Sequence, residues 1–340
     1  MRPFIYEQPS DISAAVAIAS RFTTDDDQPT RANAQFIAGG TNLADYMKLG
    51  VAAPGRLLDL NRLSEPALRQ IRVTDDGIRF GALVRMGEAA DHDEVKRRYP
   101  VIADSLRLAA SGQIRNMASL AGNVLQRTRC EYFRETSWAC NKRVPGSGCA
   151  AMEGFNGQHA VLGASDACIA TYHGDFAQAL IALDAVIRAE GSRGARKIPF
   201  SKLHRLPGDT PHIETDLVAD EIITAIEVPA MPWARRSHYL KIRDRESYAF
   251  ALASAAVALD LDGDGVREAR IALGGVATVP WRARTAEAAL QGKKLDEASA
   301  RAAAAAAFAD AEPRQHNAFK IELGKRTLVR ALLETRDMKV

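Results

Sequence analysis

All four cysteines of this 340-residue chain, Cys130, Cys140, Cys149 and Cys168, fall in one stretch, separated by nine, eight and eighteen residues. Thiols gathered in this way suit a four-thiolate centre, because each ligand must reach one metal ion or one iron–sulfur cube. The spacing has neither the CxxC knuckles of zinc ribbons nor the C-x₂-C-x₂-C run of bacterial ferredoxins, so each thiolate would arrive on its own loop. Spacing alone leaves iron–sulfur and zinc level, with unliganded thiols as a third reading. Arg127, Arg129, Arg134, Lys142 and Arg143 place five cations near Cys130 and Cys140 in the sequence. Positive charge beside an anionic cluster raises its potential; a solvated basic loop at an interface is the plainer use of the same residues.

Two glycine-bearing segments carry a second chemistry. Gly39-Gly40-Thr41-Asn42 lies between a strand pattern, Gln35–Ala38, and a helix pattern, Asn42–Leu49. Adjacent glycines let the backbone approach a ligand closely, and loop amides with a following helix start can cradle a pyrophosphate. The loop is neither a Walker loop nor GxGxxG, and a plain tight turn is the competing reading. The second segment, Asn116 to Asn123, adds Ser119, Gly122 and Asn123, which suit a neutral wall against a second phosphate or a ribityl chain.

The elements that would position these groups fall into three lobes. Phe4–Tyr6, Gln35–Ala38 and Arg56–Leu60 read as strands, with a helix capped by Ser10 or Asp11 after the first. Together with the helix over Asn42–Leu49 they make a small parallel α/β unit, and Thr23 to Ala34 reads as a polar loop. From about residue 61 to 229 the texture is mixed α+β. A hairpin spans Gln70–Gly81 around Asp75-Asp76-Gly77, helices follow over Met86–Tyr99 and Pro100–Gly112, and the cysteine window interrupts at about 126–168. Pro229 to Trp233 marks a boundary. Beyond it, Ser237–Arg243 and Val266–Gly275 read as strands, Ala249–Leu261 as a central strand or helix, and Asp296–Asp310 and Lys325–Thr335 as helices. The expected division is 1–229, with lobes 1–60 and 61–229, followed by 230–340. The run Asp260–Gly265 resembles a calcium loop but lacks the distal glutamate at the twelfth position, so a hairpin turn is expected. The seven histidines are dispersed and form no HExxH.

Phe36-Ile37-Ala38-Gly39-Gly40-Thr41-Asn42-Leu43 and Ile114-Arg115-Asn116…Gly122-Asn123 resemble the two FAD-pyrophosphate motifs of the flavin subunits of molybdenum hydroxylases. That resemblance runs over essentially the whole chain, including Tyr239 to Arg245. Arg127 to Cys130 and Cys140 to Cys149 are similar to the branch serving bacterial periplasmic aldehyde oxidoreductases. The resemblance implies a two-lobed FAD-binding domain of the vanillyl-alcohol-oxidase (PCMH) type plus a C-terminal α+β domain of the CO dehydrogenase flavoprotein type, in the α+β class. It implies FAD held by Gln35, Phe36, Ile37, Ala38, Gly39, Gly40, Thr41, Asn42 and Leu43, and by Asn116, Ser119, Gly122 and Asn123. It further implies Asp175 as an acidic contact, Ile223 through its backbone, and Lys241 near the flavin ring or ribityl chain, where a cation would favour a reduced, anionic flavin. Without the resemblance, Asp175 reads as a loop or cap residue and Lys241 as a surface lysine at a strand end. Cys130, Cys140, Cys149 and Cys168 would hold a [4Fe-4S] cluster. The family commonly has Thr-x-Gly-Gly-Asn where this chain has Ser119-Leu120-Ala121-Gly122-Asn123.

The implied role is electron transfer. A large molybdenum-cofactor subunit would oxidise an aldehyde, a small subunit with two [2Fe-2S] clusters would pass electrons on, and FAD here would deliver them to an external acceptor. A zinc-stabilised scaffold and a free-standing flavin oxidase are the alternatives. Hydrophobic content of 47%, charged content of 26% and a formal charge of +3 fit a globular protein rather than a nucleic-acid binder. No stretch has the roughly 18 apolar residues of a membrane span, and the N-terminus does not read as a signal peptide. The expected location is the cytoplasm, or the periplasm by export with a signal-bearing partner.

Overall fold

The computed structural model of the chain describes residues 1–24 and 27–340, so two positions of the Thr23–Ala34 loop lie outside the described residues. The N-terminal lobe runs β1 (Ile5–Glu7), α1 (Ile12–Arg21), β2 (Ala34–Ile37), α2 (Leu43–Lys48) and β3 (Arg56–Asp59). Its three strands are parallel in the order β1-β3-β2. Asp11 caps α1 by accepting from the Ala14 amide at 2.8 Å, which satisfies one of the helix's free donors. Ile12, Ala15, Val16 and Ala19 are the buried stripe, spaced as a single helical face requires. The Gly39-Gly40 loop leaves the carboxyl end of β2, the end where parallel sheets present ligand sites.

The middle lobe begins with the hairpin β4 (Ile71–Thr74) and β5 (Gly77–Gly81). Six short helices follow: α3 (Met86–Asp91), α4 (Asp93–Arg98), α5 (Pro100–Arg107), α6 (Gly112–Met117), α7 (Leu120–Val124) and α8 (Glu131–Arg134). Then come α9 (Phe176–Ala182), β6 (Val186–Gly191), β7 (Gly194–Pro199), α10 (Phe200–Leu203) and β8 (Ile222–Pro229). The five strands pair antiparallel in the order β4-β5-β8-β6-β7. The single helix expected over Met86–Tyr99 is two, because His92 adopts an extended backbone (ψ 123°) between α3 and α4. The segment expected as a neutral wall at Asn116–Asn123 folds into the end of α6 and α7. Ser119 caps α7 by accepting from the Gly122 amide at 3.2 Å. Ala121 therefore occupies an ordinary helical position, where a methyl is compatible with the backbone.

The C-terminal lobe consists of β9 (Ser237–Ile242), β10 (Ala253–Asp262), β11 (Gly265–Gly274) and β12 (Trp281–Arg282), then α11 (Arg284–Leu290), α12 (Glu297–Ala307) and α13 (Phe319–Arg336). The sheet is antiparallel in the order β12-β11-β10-β9, and the Asp262–Gly265 turn is the β10–β11 hairpin. The apolar run left open between strand and helix is β10. Ala253, Ala255, Val257 and Leu259 face the helices of this lobe, while Ala256 and Ala258 face the middle-lobe core. Burial on both faces erases the alternation that would mark a strand. α13 starts six residues before the expected Lys325, and Gly324 lies inside it. A Cβ there would lie 2.3 Å from the Phe308 ring, so the glycine makes room for that ring. Among the described residues no helix is long and apolar enough to cross a membrane.

Candidate functional site

A cleft of about 1240 Å³ is lined by residues of all three lobes. Gln35, Phe36, Ile37, Ala38, Gly39, Gly40, Thr41, Asn42 and Leu43 line it as one continuous segment, and Ser119, Gly122, Asn123 and Asp175 line it from the middle lobe. The two glycine segments are in direct contact. A Cβ on Gly39 would lie 2.1 Å from the Met117 carbonyl oxygen, so only glycine allows this approach. Two side chains lace the segments together: Asn61 donates to the Ala38 carbonyl at 2.8 Å, and Arg85 bridges the Asn61 amide oxygen and the Met117 carbonyl at 2.9 and 2.6 Å. Neither residue belongs to a motif, so nothing in the sequence marks either.

The loop is poised to bind. Gly40 has φ +69°, a conformation glycine adopts without strain. Among the described residues, the amides of Gly39, Gly40, Thr41 and Asn42 donate to no other group of the chain. The side-chain oxygens of Asn42 and Asn123 are buried without a partner. Groups in that condition call for a hydrogen-bonding ligand, since an unmet buried polar atom costs about 1–3 kcal/mol.

Three of the expected residues are not among those that line the cleft. Lys241 does not line the cleft: its side chain is 1% exposed, and its ammonium donates to Asp175 at 2.8 Å and to the Leu108 carbonyl at 3.0 Å. Strand register explains this, because β9 points Lys241 and Tyr239 inward from the same face. Tyr239 donates to the other Asp175 oxygen at 2.7 Å. Burial pushes the Asp175 carboxyl up, while Lys241 and Tyr239 oppose it. Asn116 is exposed on α6, with its side-chain oxygen over Gly87. Ile223 is buried in β8, paired with Ala189.

The cleft also holds groups that carried no cleft signal in the sequence. Arg127, Arg129 and Arg134 line it. Arg129 donates to the Tyr46 hydroxyl and the Arg127 carbonyl, both at 2.6 Å, and its guanidinium lies 5.4 Å over the Phe250 ring. His173 stands edge-on to Phe250, and burial together with Arg129 pushes its pKa down to about 3. Tyr248, Phe250 and their neighbours bring the β9–β10 loop to the mouth.

The cysteine window lies directly behind this wall. Cys130 stands between two lining residues, Arg129 and Glu131. Cys130, Cys140 and Cys168 are buried in one apolar cluster with Tyr46 and Phe133, and Cys149 packs against it. All four are free thiols, and Cys140 bridges Cys149 across an antiparallel backbone pair. Burial pushes the Cys130 and Cys168 thiols up to about 12 and about 11. The Ala170 amide reaches the Cys168 sulfur at 3.5 Å, and the His159 ring nitrogen lies 3.2 Å from the Cys130 sulfur. Among the described residues, no three His, Cys, Asp or Glu side chains converge as ligands of a single metal ion. The five cations expected around the cysteines are largely occupied. Arg127 and Lys142 pair with Glu214, Arg134 pairs with Asp45, and Arg143 donates to backbone carbonyls of Tyr132 and Phe133.

Residues 2–231 match the family described as the FAD binding domain in molybdopterin dehydrogenase, and residues 238–335 match the CO dehydrogenase flavoprotein C-terminal domain. The chain is an FAD-binding subunit of the molybdenum hydroxylase family. It is 47% identical over 338 residues to the aldehyde oxidoreductase FAD-binding subunit PaoB of Escherichia coli, covering 99% of each chain. It is 27% identical over 310 residues to the carbon monoxide dehydrogenase medium chain of Hydrogenophaga pseudoflava, covering 91% of this chain and 88% of the relative. A solved carbon monoxide dehydrogenase from the same organism superposes with a TM-score of 0.74 at 28% identity, covering 98% of this chain and 96% of that one.

As an FAD-binding subunit, the chain has a cleft whose donor set fits the cofactor. Free loop amides suit a diphosphate, orphaned asparagine oxygens suit its hydroxyl-bearing linkers, and the aromatic β9–β10 loop suits a planar ring.

Proposed function

We propose that this subunit carries electrons for a molybdenum-dependent aldehyde oxidoreductase, from a partner's centres through FAD to an external acceptor, with a [4Fe-4S] cluster on Cys130, Cys140, Cys149 and Cys168. The carrying observation is that Cys130 lies between two residues of the cleft wall, so a centre on its sulfur would adjoin the flavin site. The name of the E. coli relative supports the aldehyde. A large molybdenum-cofactor subunit and a small subunit with two [2Fe-2S] clusters belong to this reading, as does export with a signal-bearing partner. So does the division into an FAD-binding domain over 1–229 and a C-terminal domain over 230–340.

Bound FAD supplies a two-electron store, and a four-iron cube supplies a one-electron relay. The chain's own residues do the rest. The amides of Gly39 to Asn42 hold the diphosphate, and Asn42 and Asn123 accept from its linkers. Asp175, immobilised by Lys241 and Tyr239, presents a fixed carboxyl group at the inner wall. His173 remains neutral, so Arg129 supplies the positive charge on that side. For the cysteines, a cube spaces its thiolates more widely than one ion does, and separate loops with amide donors to sulfur suit that demand. Cys130 and Cys168, whose thiols burial raises, would be held as thiolates only through coordination to iron.

The test is the visible spectrum of the purified chain, with released flavin, iron and zinc assayed. Flavin bands over a broad shoulder, with about four irons per chain, support the reading. Cys140→Ser should then lose the iron and its EPR signal while keeping FAD. A colourless protein containing zinc overturns both halves of the proposal and leaves a scaffold.

A further inference from the structure

The turn that joins two of the cysteines is held in shape by bonds that involve no sulfur. Residues 140–149 run through the solvent-facing stretch Val144-Pro145-Gly146-Ser147, with Gly146 at φ +81° and Gly148 at φ +93°, conformations that glycine adopts without strain. The Cys140 amide donates to the Ser147 hydroxyl at 3.1 Å, and the Gly148 amide donates to the Asn141 side-chain oxygen at 2.8 Å. The Val144 amide donates to the Cys140 carbonyl at 2.7 Å. Asn141 also donates to the Ala167 carbonyl at 3.1 Å, which pins the turn to the residue before Cys168.

At the base of this turn Cys140 and Cys149 are antiparallel partners. The flanking Ala150 amide donates to the Ala139 carbonyl at 3.0 Å, while the amide and carbonyl of Cys140 are used inside the turn. The two cysteines are therefore a non-hydrogen-bonded pair, the kind whose Cα atoms lie about 4.5 Å apart and whose side chains stand closest. Directly opposed residues project to the same face of a ladder, and a disulfide spans Cα separations of about 4.4–6.8 Å. Among the described residues no other two cysteines are backbone partners: Cys168 is opposed by Ser165, and the Cys130 sulfur lies 3.2 Å from the His159 ring. Access differs as well. Cys140 is 7% exposed, whereas Cys149, at the end of the solvent-facing turn, is only half-buried.

We propose that Cys140 and Cys149 are a redox couple, closing to a disulfide when the metal-free chain meets a small-molecule disulfide. The Cys149 thiolate attacks one sulfur of the oxidant and expels a thiol, and the Cys140 thiolate then attacks the Cys149 sulfur and expels the second. Two protein thiols give up two electrons and two protons, and one oxidant disulfide becomes two thiols. The inference stands on the backbone pairing and does not need the four-cysteine centre. It adds a consequence to that reading: a closed pair removes two of the four thiolates, so a centre can be installed only on the reduced chain.

The experiment takes the full-length chain, strips it of iron and zinc with a chelator under reducing conditions, and exposes it to oxidised glutathione. Remaining thiols are counted by alkylation, and the unreduced digest is mapped by mass spectrometry. Free thiols should fall from four to two per chain, with a Cys140–Cys149 linkage that dithiothreitol reverses. Cys149→Ser should keep its three remaining thiols free of any internal bond. Four thiols that stay free, a glutathione adduct on Cys149 that never resolves, a linkage between any other pair, or an internal bond in Cys149→Ser overturns the proposal. The same treatment of the protein as isolated, with iron assayed, separates this bond from the four-cysteine reading. Iron-bearing chains that resist closure until chelated support both. Chains that close while retaining their iron support the disulfide and overturn the four-cysteine reading. Chains isolated without iron that also stay open overturn both.

Discussion

Replacing Gly39 with alanine tests the idea that the two glycine segments form one cradle. The new Cβ would sit 2.1 Å from the Met117 carbonyl oxygen, 2.8 Å from its carbon and 3.0 Å from the Ala118 Cα, all backbone atoms. No side chain can swing aside, so α6 and the β2–α2 loop must part by about 1.4 Å to restore ordinary contact near 3.5 Å. Overpacking of this kind costs about 1–3 kcal/mol, equivalent to about 5- to 150-fold in a dissociation constant. If the free chain relaxes by opening the seam, the cost returns when FAD closes it and appears as weaker flavin binding. If the seam stays shut, the cost appears as a lower melting temperature. Flavin-fluorescence titration and thermal melts of the apo and FAD-loaded protein together capture both routes. Gly112→Ala is the control: no neighbour is closer than 4.0 Å to its Cβ, it opens α6, and it should be neutral or slightly stabilising. Native FAD affinity and native melting temperature in Gly39→Ala would refute the contact and the cradle built on it.

Three further outcomes follow from the buried charges. Lys241→Met leaves Asp175 buried without its cation, which should cost about 3–5 kcal/mol near neutral pH. Because burial raises the folded Asp175 value above its unfolded one, its charge burden grows as pH rises through that range. The variant's deficit in denaturant melts should therefore shrink toward about pH 4, and a deficit independent of pH would contradict the Asp175 pairing. Glu214→Gln leaves Arg127 and Lys142 without their shared carboxylate, again about 3–5 kcal/mol. Burial raises the Glu214 value, but the two cations outweigh it and the net shift is downward, so its contribution is present above the unfolded value of about 4.3 and is lost on acidification. Equal melting temperatures of native and variant protein at neutral pH would disprove that pairing. His238 sits between Asp104 on α5 and Glu334 on α13, at 3.6 and 3.2 Å. Asp104 leads in raising its pKa, so its stabilisation is full below about 6.5 and is lost as pH rises through the folded value. His238→Gln should melt lower than native only on the acid side, and the gap should close in alkali.

Local chemistry was enough to read the parallel N-terminal unit, the Asp11 cap and the glycine loop at the end of β2, because each depends on residues a few positions apart. The clustering of Cys130, Cys140, Cys149 and Cys168 and the segment Gln35–Leu43 were likewise visible as motifs; the segment lines one wall of the cleft, and the cysteines share or flank one apolar cluster. Tertiary structure decided the rest. Lys241 became the buried anchor of Asp175 because strand register, rather than residue type, chose its face. β10 concealed its alternation by being buried on both sides, and α13 concealed its start behind a glycine that only the Phe308 ring explains. Asn61 and Arg85 act through backbone carbonyls far away in sequence. Such bonds leave no pattern in the chain, since a carbonyl oxygen is the same at every residue and only the fold determines which one a side chain meets.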